Sequence, residues 1–288
     1  MRVIHALDAM AKEAAAAARK GLTVGLVPTM GALHDGHASL MRRARAENGK
    51  VVVSIYVNPG QFMPGEDYDR YPRALKEDAA LARREGADIV FAPDNASMYP
   101  ANFQTSVMVE KLSGPLEGMS RGRGHFAGVA TVVLKLFNIV RPDTAYFGQK
   151  DAQQALLLQR MTDDLNLPVR LVLCPTVREA DGLALSSRNR YLSKKDRQRA
   201  IALRRALLLG RGLIRDGQRD ADALATAMAE SILSEEDVEL DYLEIVNPAT
   251  LEPVKQITST VLVAGAIGLS GTRLLDNIIV GPDGPFED

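Results

Sequence analysis

Apolar and polar positions along the chain switch repeatedly between a helical and a strand period. Residues 9–20, AMAKEAAAAARK, are alanine-rich and free of Gly and Pro, which predicts a helix that Gly21 stops. LTVGLVP (22–28) is a short apolar run that predicts a strand, and HASLMRRARAEN (37–48) the next helix. KVVVSIYVNP (50–59) is β-branched with little alternation, as expected of a strand buried on both faces of a parallel sheet. RALKEDAALARREG (73–86) reads as an amphipathic helix, ADIVFAP (87–93) as a strand and QTSVMVE (104–110) as another. FAGVATVVLKLFNIV (126–140) reads as an apolar helix, DTAYFGQ (143–149) as a strand, DAQQALLLQRMTDDL (151–165) as a helix and VRLVLCP (169–175) as a strand. Strand and helix in alternation over about 150 residues predict an α/β fold with a Rossmann-like, doubly wound parallel sheet.

After Pro175 the character changes. TVREADGLALSSRNRYLS is polar, residues 194–217 read as one long basic helix, and 220–233 as a second. VELDYLEIVNPATLEPV (238–254) reads as two strands around Asn247-Pro248, and 258–280 as two more around Ser270-Gly271. A boundary near residue 176 therefore separates domain 1–176 from a smaller α+β domain, 177–288.

Composition narrows the function. Of 288 residues, 35 are Lys or Arg and 36 are Asp or Glu, a net charge of −1. With no basic excess, a domain whose whole surface traps polyanions is excluded, and nucleic acid is not an expected partner. No stretch approaches a transmembrane span, and the N-terminus lacks the apolar core of a signal peptide. The single cysteine, Cys174, excludes an intrachain disulfide and fits a cytoplasmic location. There is no GxGxxG after the first strand, which disfavours a dinucleotide-dependent oxidoreductase.

In open parallel sheets, ligands bind beyond the carboxyl ends of the strands. Three unusual clusters fall there, and a fourth lies just past another strand. In PTMGALHDGH (28–37), Gly31 and Gly36 permit close backbone approach, a helix start offers N–H groups to an anion, and His34 and His37 add ring N–H donors. A zinc site is the rival reading, but no further ligand stands nearby. In YVNPGQF, Asn58 and Gln61 suit a substrate with hydroxyls and a carboxylate, although Asn-Pro-Gly is also ordinary turn chemistry. In FGQKDAQQ (147–154), Lys150 opposes a helix dipole, a cost that an anion there would offset; Asp151 could simply cap that helix, and Gln154 lies one turn on. In LSSRNRY (185–191), two hydroxyls and two arginines could close over a triphosphate, or cap a helix among solvated charges.

The HxGH corner resembles the signature of the adenylate-forming nucleotidyltransferases. Together, PTMGALHDGHASL, VVSIYVNPGQF, YPR (71–73), HFAGVATVVLKLFNIVRPDTAYFGQKDAQQ and PTVREADGLALSSRNRYL resemble the AMP-forming pantoate–β-alanine ligases, with small departures at Ala38 and Gly60. The resemblance implies ATP and Mg2+, pantoate and β-alanine as reactants, a pantoyl-adenylate intermediate, a homodimer, and a C-terminal lid. Carried over residue by residue, it implies an ATP site of Met30, Gly31, Ala32, Leu33, His34, Asp35, Gly36, His37, Gly148, Gln149, Lys150, Asp151, Val177, Leu185, Ser186, Ser187 and Arg188. His37, His34 and Lys150 are the catalytic candidates. Gln61, Gln154 and Asn58 are the substrate candidates, with Arg121, Arg123 and His125 in a loop that could shape the pantoate side. No side chain is expected to ligate a metal. The alternatives are another HxGH-type nucleotidyltransferase, or an RNA-contacting module built on helix 194–217.

Overall fold

The computed structural model describes all residues except 64, 67 and 283–288. Its contacts divide into two compact units: Met1–Gly148 with Gln154–Cys174, and Gln149–Gln153 with the chain from Pro175 onward.

The first unit carries β1 (Arg2–Ile4), α1 (Leu7–Arg19), β2 (Val24–Thr29), α2 (Asp35–Glu47), β3 (Lys50–Ile55), α3 (Leu75–Arg84), β4 (Ile89–Phe91), α4 (Asn95–Met98), α5 (Glu117–Val140) and β5 (Thr144–Gly148). It also takes most of α6 (Ala152–Asp164), and β6 (Arg170–Cys174). The strands form one parallel sheet in the order β1-β4-β3-β2-β5-β6. Side chains alternate faces along a strand, yet Val51, Val52 and Val53 are all fully buried, so both faces of β3 are covered. The core that α2 and α3 complete contains Val27, Met41, Val51, Val53, Ala82, Val90 and Tyr146. On leaving β2 the chain steps outward to β3 and β4, then returns to β5 on the other side of β2. The switch point of this doubly wound sheet therefore lies between the carboxyl ends of β2 and β5, at Thr29 and Gly148.

The second unit carries α7 (Lys194–Ala200), α8 (Ala202–Arg215), α9 (Ala221–Leu233) and an antiparallel sheet of β7 (Glu239–Val246), β8 (Val261–Leu269) and β9 (Thr272–Val280), in the order β7-β8-β9. Leu203, Leu207, Ile214, Leu224, Met228 and Ile232 on the helices meet Val263, Ile267, Leu274 and Ile278 on the strands.

Three sequence expectations need correction, and one strand was missed. QTSVMVE is not a strand: the Val107 N–H donates to Thr131 Oγ1 of α5 at 2.9 Å, so this backbone is spent on a helix rather than a ladder. The expected strand after Asn247-Pro248 is a turn with one isolated bridge, Val246 to Pro253; two prolines remove ladder donors and Leu251 takes a left-handed φ of 58°. The basic helix at 194–217 is two helices that meet at Ile201. Strand β1 was not expected, since three residues are too few to display a period.

The base of the switch point is tied by side chains. Glu47, at the end of α2, accepts from the Tyr146 hydroxyl of β5 at 2.8 Å, from Arg170 of β6 at 3.0 Å, and from Arg43. Arg43 first, and the Tyr146 hydroxyl next, hold its carboxyl down at about 2, from an ordinary 4.5. A depressed carboxyl contributes stability above its unfolded value and loses it as the pH falls towards the folded one. Glu47→Gln is therefore expected to lower the melting temperature at neutral pH, with the gap to the parent closing between about pH 4.5 and 2. Parallel melting curves across that range would contradict the assignment.

Candidate active site

The turn between β2 and α2 is held from below. Gly31 has a φ of 88°, and a Cβ there would come within 2.9 Å of Asp78 Oδ2, so only glycine fits. Ala32 follows, also left-handed at 51°. The N–H groups of Ala32 and Leu33 donate to the two carboxylate oxygens of Asp78, at 3.0 and 2.8 Å. Asp78 sits on the inner face of α3 and is only 4% exposed; burial raises its pKa, and these two donors oppose that rise. Asp78 was missed in the sequence, although an acid four residues before Ala82 on the buried face of a helix was a readable signal.

At the start of α2 two imidazoles do what Ser and Glu do in an ordinary capping box. The Gly36 N–H donates to His34 Nδ1 at 3.2 Å, and the His34 N–H donates to His37 Nδ1 at 3.3 Å. With both Nδ1 atoms accepting, each ring carries its proton on Nε2 and presents it as a donor. The rings lie together, centroids 4.2 Å apart. A helix N-terminus flanked by two such donors attracts an anion.

Beyond β3, Asn58 caps the one-turn 3-10 helix Pro59–Gln61. It is 1% exposed and its amide is spent on the protein. The Nδ2 donates to Gly128 O and Gln61 Oε1, while Oδ1 accepts from the Gly60 N–H and the Tyr99 hydroxyl. Asn58 therefore holds the Gln61 side chain, and both of its amide N–H groups and its carbonyl oxygen already have partners in the protein. Gln61 Nε2 meets Met30 Sδ at 2.9 Å, bringing the Gln61 side chain to the β2 turn. Helix α5 can pass this loop only with glycine at 128, because a Cβ there would stand 1.9 Å from Gly60 O. Gly60, by contrast, has room for a Cβ, which would stand 3.5 Å from Asn58 Oδ1.

The Gln61 carbonyl is held too. His125 Nδ1–H donates to it at 2.6 Å, Arg121 donates to His125 Nε2 at 3.1 Å, and Arg121 grips Glu66 through two nitrogens at 3.2 and 3.1 Å. Burial lowers the His125 pKa and Arg121 adds to the effect, so this ring is neutral. The residues expected to shape a substrate pocket thus form a tether. Arg123 instead lies near Glu110, 3.7 Å away, and is exposed.

In the second unit, Lys150 lies in a 3-10 turn (Gln149–Asp151) ahead of α6, 3.4 Å from Asp151. It lines a small cavity with Ser186 and Arg188, and with Arg204 and Arg273, which the sequence motifs do not single out. Ser186 caps the 3-10 helix Ser187–Tyr191, its Oγ accepting the Arg188 N–H at 3.3 Å. The Leu185 N–H donates to Val177 O at 3.0 Å, so these two expected site residues are neighbours. Gly148, at the end of β5, has no left-handed φ, and a Cβ placed there would meet nothing within 4 Å, so the fold itself does not demand glycine.

Three arginines of the basic segment are paired with acids of the same unit. Arg197 pairs with Glu179 and Asp181, Arg199 with Glu236 and Asp237, and Arg205 with Glu235. That leaves little of the RNA-contacting alternative. Among the described residues no helix is long and apolar enough to cross a membrane. None of their His, Cys, Asp and Glu residues form a group of three or more placed to hold a metal.

A histidine-capped helix N-terminus at the switch point of a doubly wound sheet defines an α/β enzyme of the HxGH nucleotidyltransferase class. The family is narrower than the class. The pantoate–β-alanine ligase family model matches residues 2–279, and the chain belongs to that family. It is 51% identical over 280 residues to the pantothenate synthetase of Moorella thermoacetica, covering 97% of this chain and 99% of that one. It is 52% identical over 281 residues to that of Thermotoga neapolitana, covering 98% and 100%. Among solved structures, the pantothenate synthetase of Thermus thermophilus superposes with a TM-score of 0.92 at 47% identity, covering 98% of this chain and 100% of that one. The pantoate–β-alanine ligase of Francisella tularensis, solved in complex with "Beta-gamma ATP" and β-alanine, gives 0.79 at 31%, with the same coverage.

Asp78→Asn retains the shape but puts an amide N–H where a backbone N–H must be accepted. Leaving one such buried group unsatisfied costs about 1–3 kcal/mol, so a lower melting temperature is expected. The KM for ATP should rise as the turn loosens. An unchanged KM and melting temperature would show that the turn holds itself.

Proposed function

We propose that this chain joins pantoate to β-alanine in two steps. The pantoate carboxylate attacks the α-phosphorus of ATP, forming pantoyl adenylate and releasing pyrophosphate. The β-alanine amine then attacks the acyl carbon, AMP departs, and the amine proton is lost. The observation that carries this reading is the helix N-terminus of α2 at the switch point, where His34 and His37 present Nε2–H donors. No covalent enzyme nucleophile is needed. Cys174 is buried, and burial pushes its thiol pKa up, as suits a structural residue. Most of the gain must come from orientation and from donors aimed at developing charge.

In this reading, residues 30–37 receive ATP, with His34 and His37 on its phosphates. Gly148 leaves space for the nucleotide, and Gln149, Lys150 and Asp151 form a second ATP strip. Val177 presents backbone to adenine, and Leu185–Arg188 cover the triphosphate. Gln61 and Gln154 hold pantoate, and Asn58 and His125 hold Gln61. A magnesium ion bound with ATP would supply positive charge to the phosphates. Residues 1–176 serve as the nucleotide- and pantoate-binding domain and 177–288 as a lid, in a cytoplasmic homodimer.

The test is to mix protein, ATP, magnesium and pantoate, and to follow pyrophosphate and AMP with and without β-alanine. Pyrophosphate release that depends on pantoate, with AMP following on β-alanine, is expected; AMP formation indifferent to both would overturn the reading. Removing one preorganised donor to transition-state charge typically costs about 10²–10³-fold in kcat, and Lys150→Ala and His37→Ala are each expected to lose that much in pantoyl-adenylate formation. Near-normal rates in either folded variant would remove that residue from the phosphate site.

A further inference from the structure

The strand β9 is apolar along its second half except where Asp276 and Asn277 interrupt it, and both are buried, at 5% and 3% exposure. Buried polar groups are costly unless their hydrogen bonds are met, and here the partners are specific. Asn277 Nδ2 donates to the carbonyls of Gln149 and Lys150, at 2.9 and 3.0 Å, and so uses both of its N–H groups. Its Oδ1 faces the Gln149 side-chain amide at 3.5 Å, and its own N–H is held by Asp276 Oδ1 at 2.8 Å. Asp276 in turn receives two nitrogens of Arg178, at 2.6 and 3.0 Å. Arg178 also donates to Gly182 O at 3.2 Å and bridges to Ala184, so it braces the turn that leads into Leu185–Arg188.

We propose that Asp276 and Asn277 are positioning residues that hold the two cation-bearing segments of the second unit, the Lys150 turn and the Ser186–Arg188 turn, in fixed register around one cavity. Asn277 sets the first by fixing two successive carbonyls, and Asp276 sets the second through Arg178. The argument is geometric. Lys150, Ser186, Arg188 and Asp276 line the same cavity, and adjacent residues of one strand anchor both segments. Neither residue needs to touch a reactant. A flexible lysine placed by its own side chain alone would lose the orientation that electrostatic catalysis depends on. That consequence for catalysis rests on the functional reading above; the register itself does not.

The test compares Asn277→Ala with Asn277→Asp, which keeps the shape but turns an acceptor oxygen towards two carbonyls. Both are expected to lower kcat for pantoyl-adenylate formation by about tenfold or more, with the KM for pantoate unmoved. In a double-mutant cycle, adding Asn277→Ala to Lys150→Ala should cost at most about twofold more, because the two act through one group. Independent, multiplicative losses, or a matching rise in the KM for pantoate, would overturn the proposal. Amide hydrogen exchange over residues 149–153 gives a readout without turnover: it should speed up in both variants, and unchanged exchange would also overturn it. If the parent chain formed no pantoyl adenylate, the functional reading would fall while the exchange arm still decided the register.

Discussion

The buried carboxylate of Asp78 is the constraint on which the candidate site depends. A polypeptide that leaves a parallel strand and enters a helix must turn sharply, and here it does so through two consecutive left-handed residues. The N–H groups exposed by that turn need acceptors in a place that water does not freely reach. Asp78 supplies both, from a different helix, and so fixes the distance from the end of β2 to the first turn of α2. Burial works against its charge and raises its pKa, and its two backbone donors oppose that rise. With the turn fixed, the two histidines can cap α2 with their Nδ1 atoms and keep the proton on Nε2. Each ring is thereby oriented by the backbone, and its tautomer is set before any anion arrives.

The same division between holding and acting recurs. Asn58 and the Glu66–Arg121–His125 chain clamp Gln61 by its side chain and its carbonyl, and Asn277 holds the backbone carbonyls of Gln149 and Lys150. The clamping groups that touch these residues are neutral: two amides, and an imidazole that burial keeps uncharged. That choice has a physical reason. A neutral clamp adds no net charge beside an anionic reactant, whereas a charged one would compete with the cation that must meet it. Behind these two clamps stand compensated pairs, Arg121 with Glu66 and Arg178 with Asp276, whereas the turn after β2 is held directly by the carboxylate of Asp78.

The sheet was legible because each of its longer strands is a continuous apolar run bounded by Gly, Pro or polar residues, and its helices are long enough to show their period. What was not legible depended on partners distant in sequence. QTSVMVE has strand composition, but Thr131 takes its backbone donor. Asn58 reads as a substrate amide in the sequence, and its hydrogen bonds to Gly128 and Tyr99 come from residues far along the chain. The motifs at 28–37 and 147–154 were visible as motifs because glycine, histidine and lysine are unusual at strand-to-helix junctions. Their supports, Asp78 and Asn277, are ordinary polar residues in amphipathic elements, and only the tertiary fold shows what they hold.

The charge balance follows from this arrangement. A net charge of −1 leaves no long-range attraction for a nucleotide, so its recognition must be local. Arg197, Arg199 and Arg205 of the second unit are already paired with acids, while Lys150, Arg188, Arg204 and Arg273 line one cavity of that unit together with Asp276. An enzyme of this kind has to release pyrophosphate and AMP after each turnover. On the proposed reading, a few cations held in register by Asn277 and by the Arg178–Asp276 pair meet charge as it develops, without the deep, uniform attraction that would retain the products.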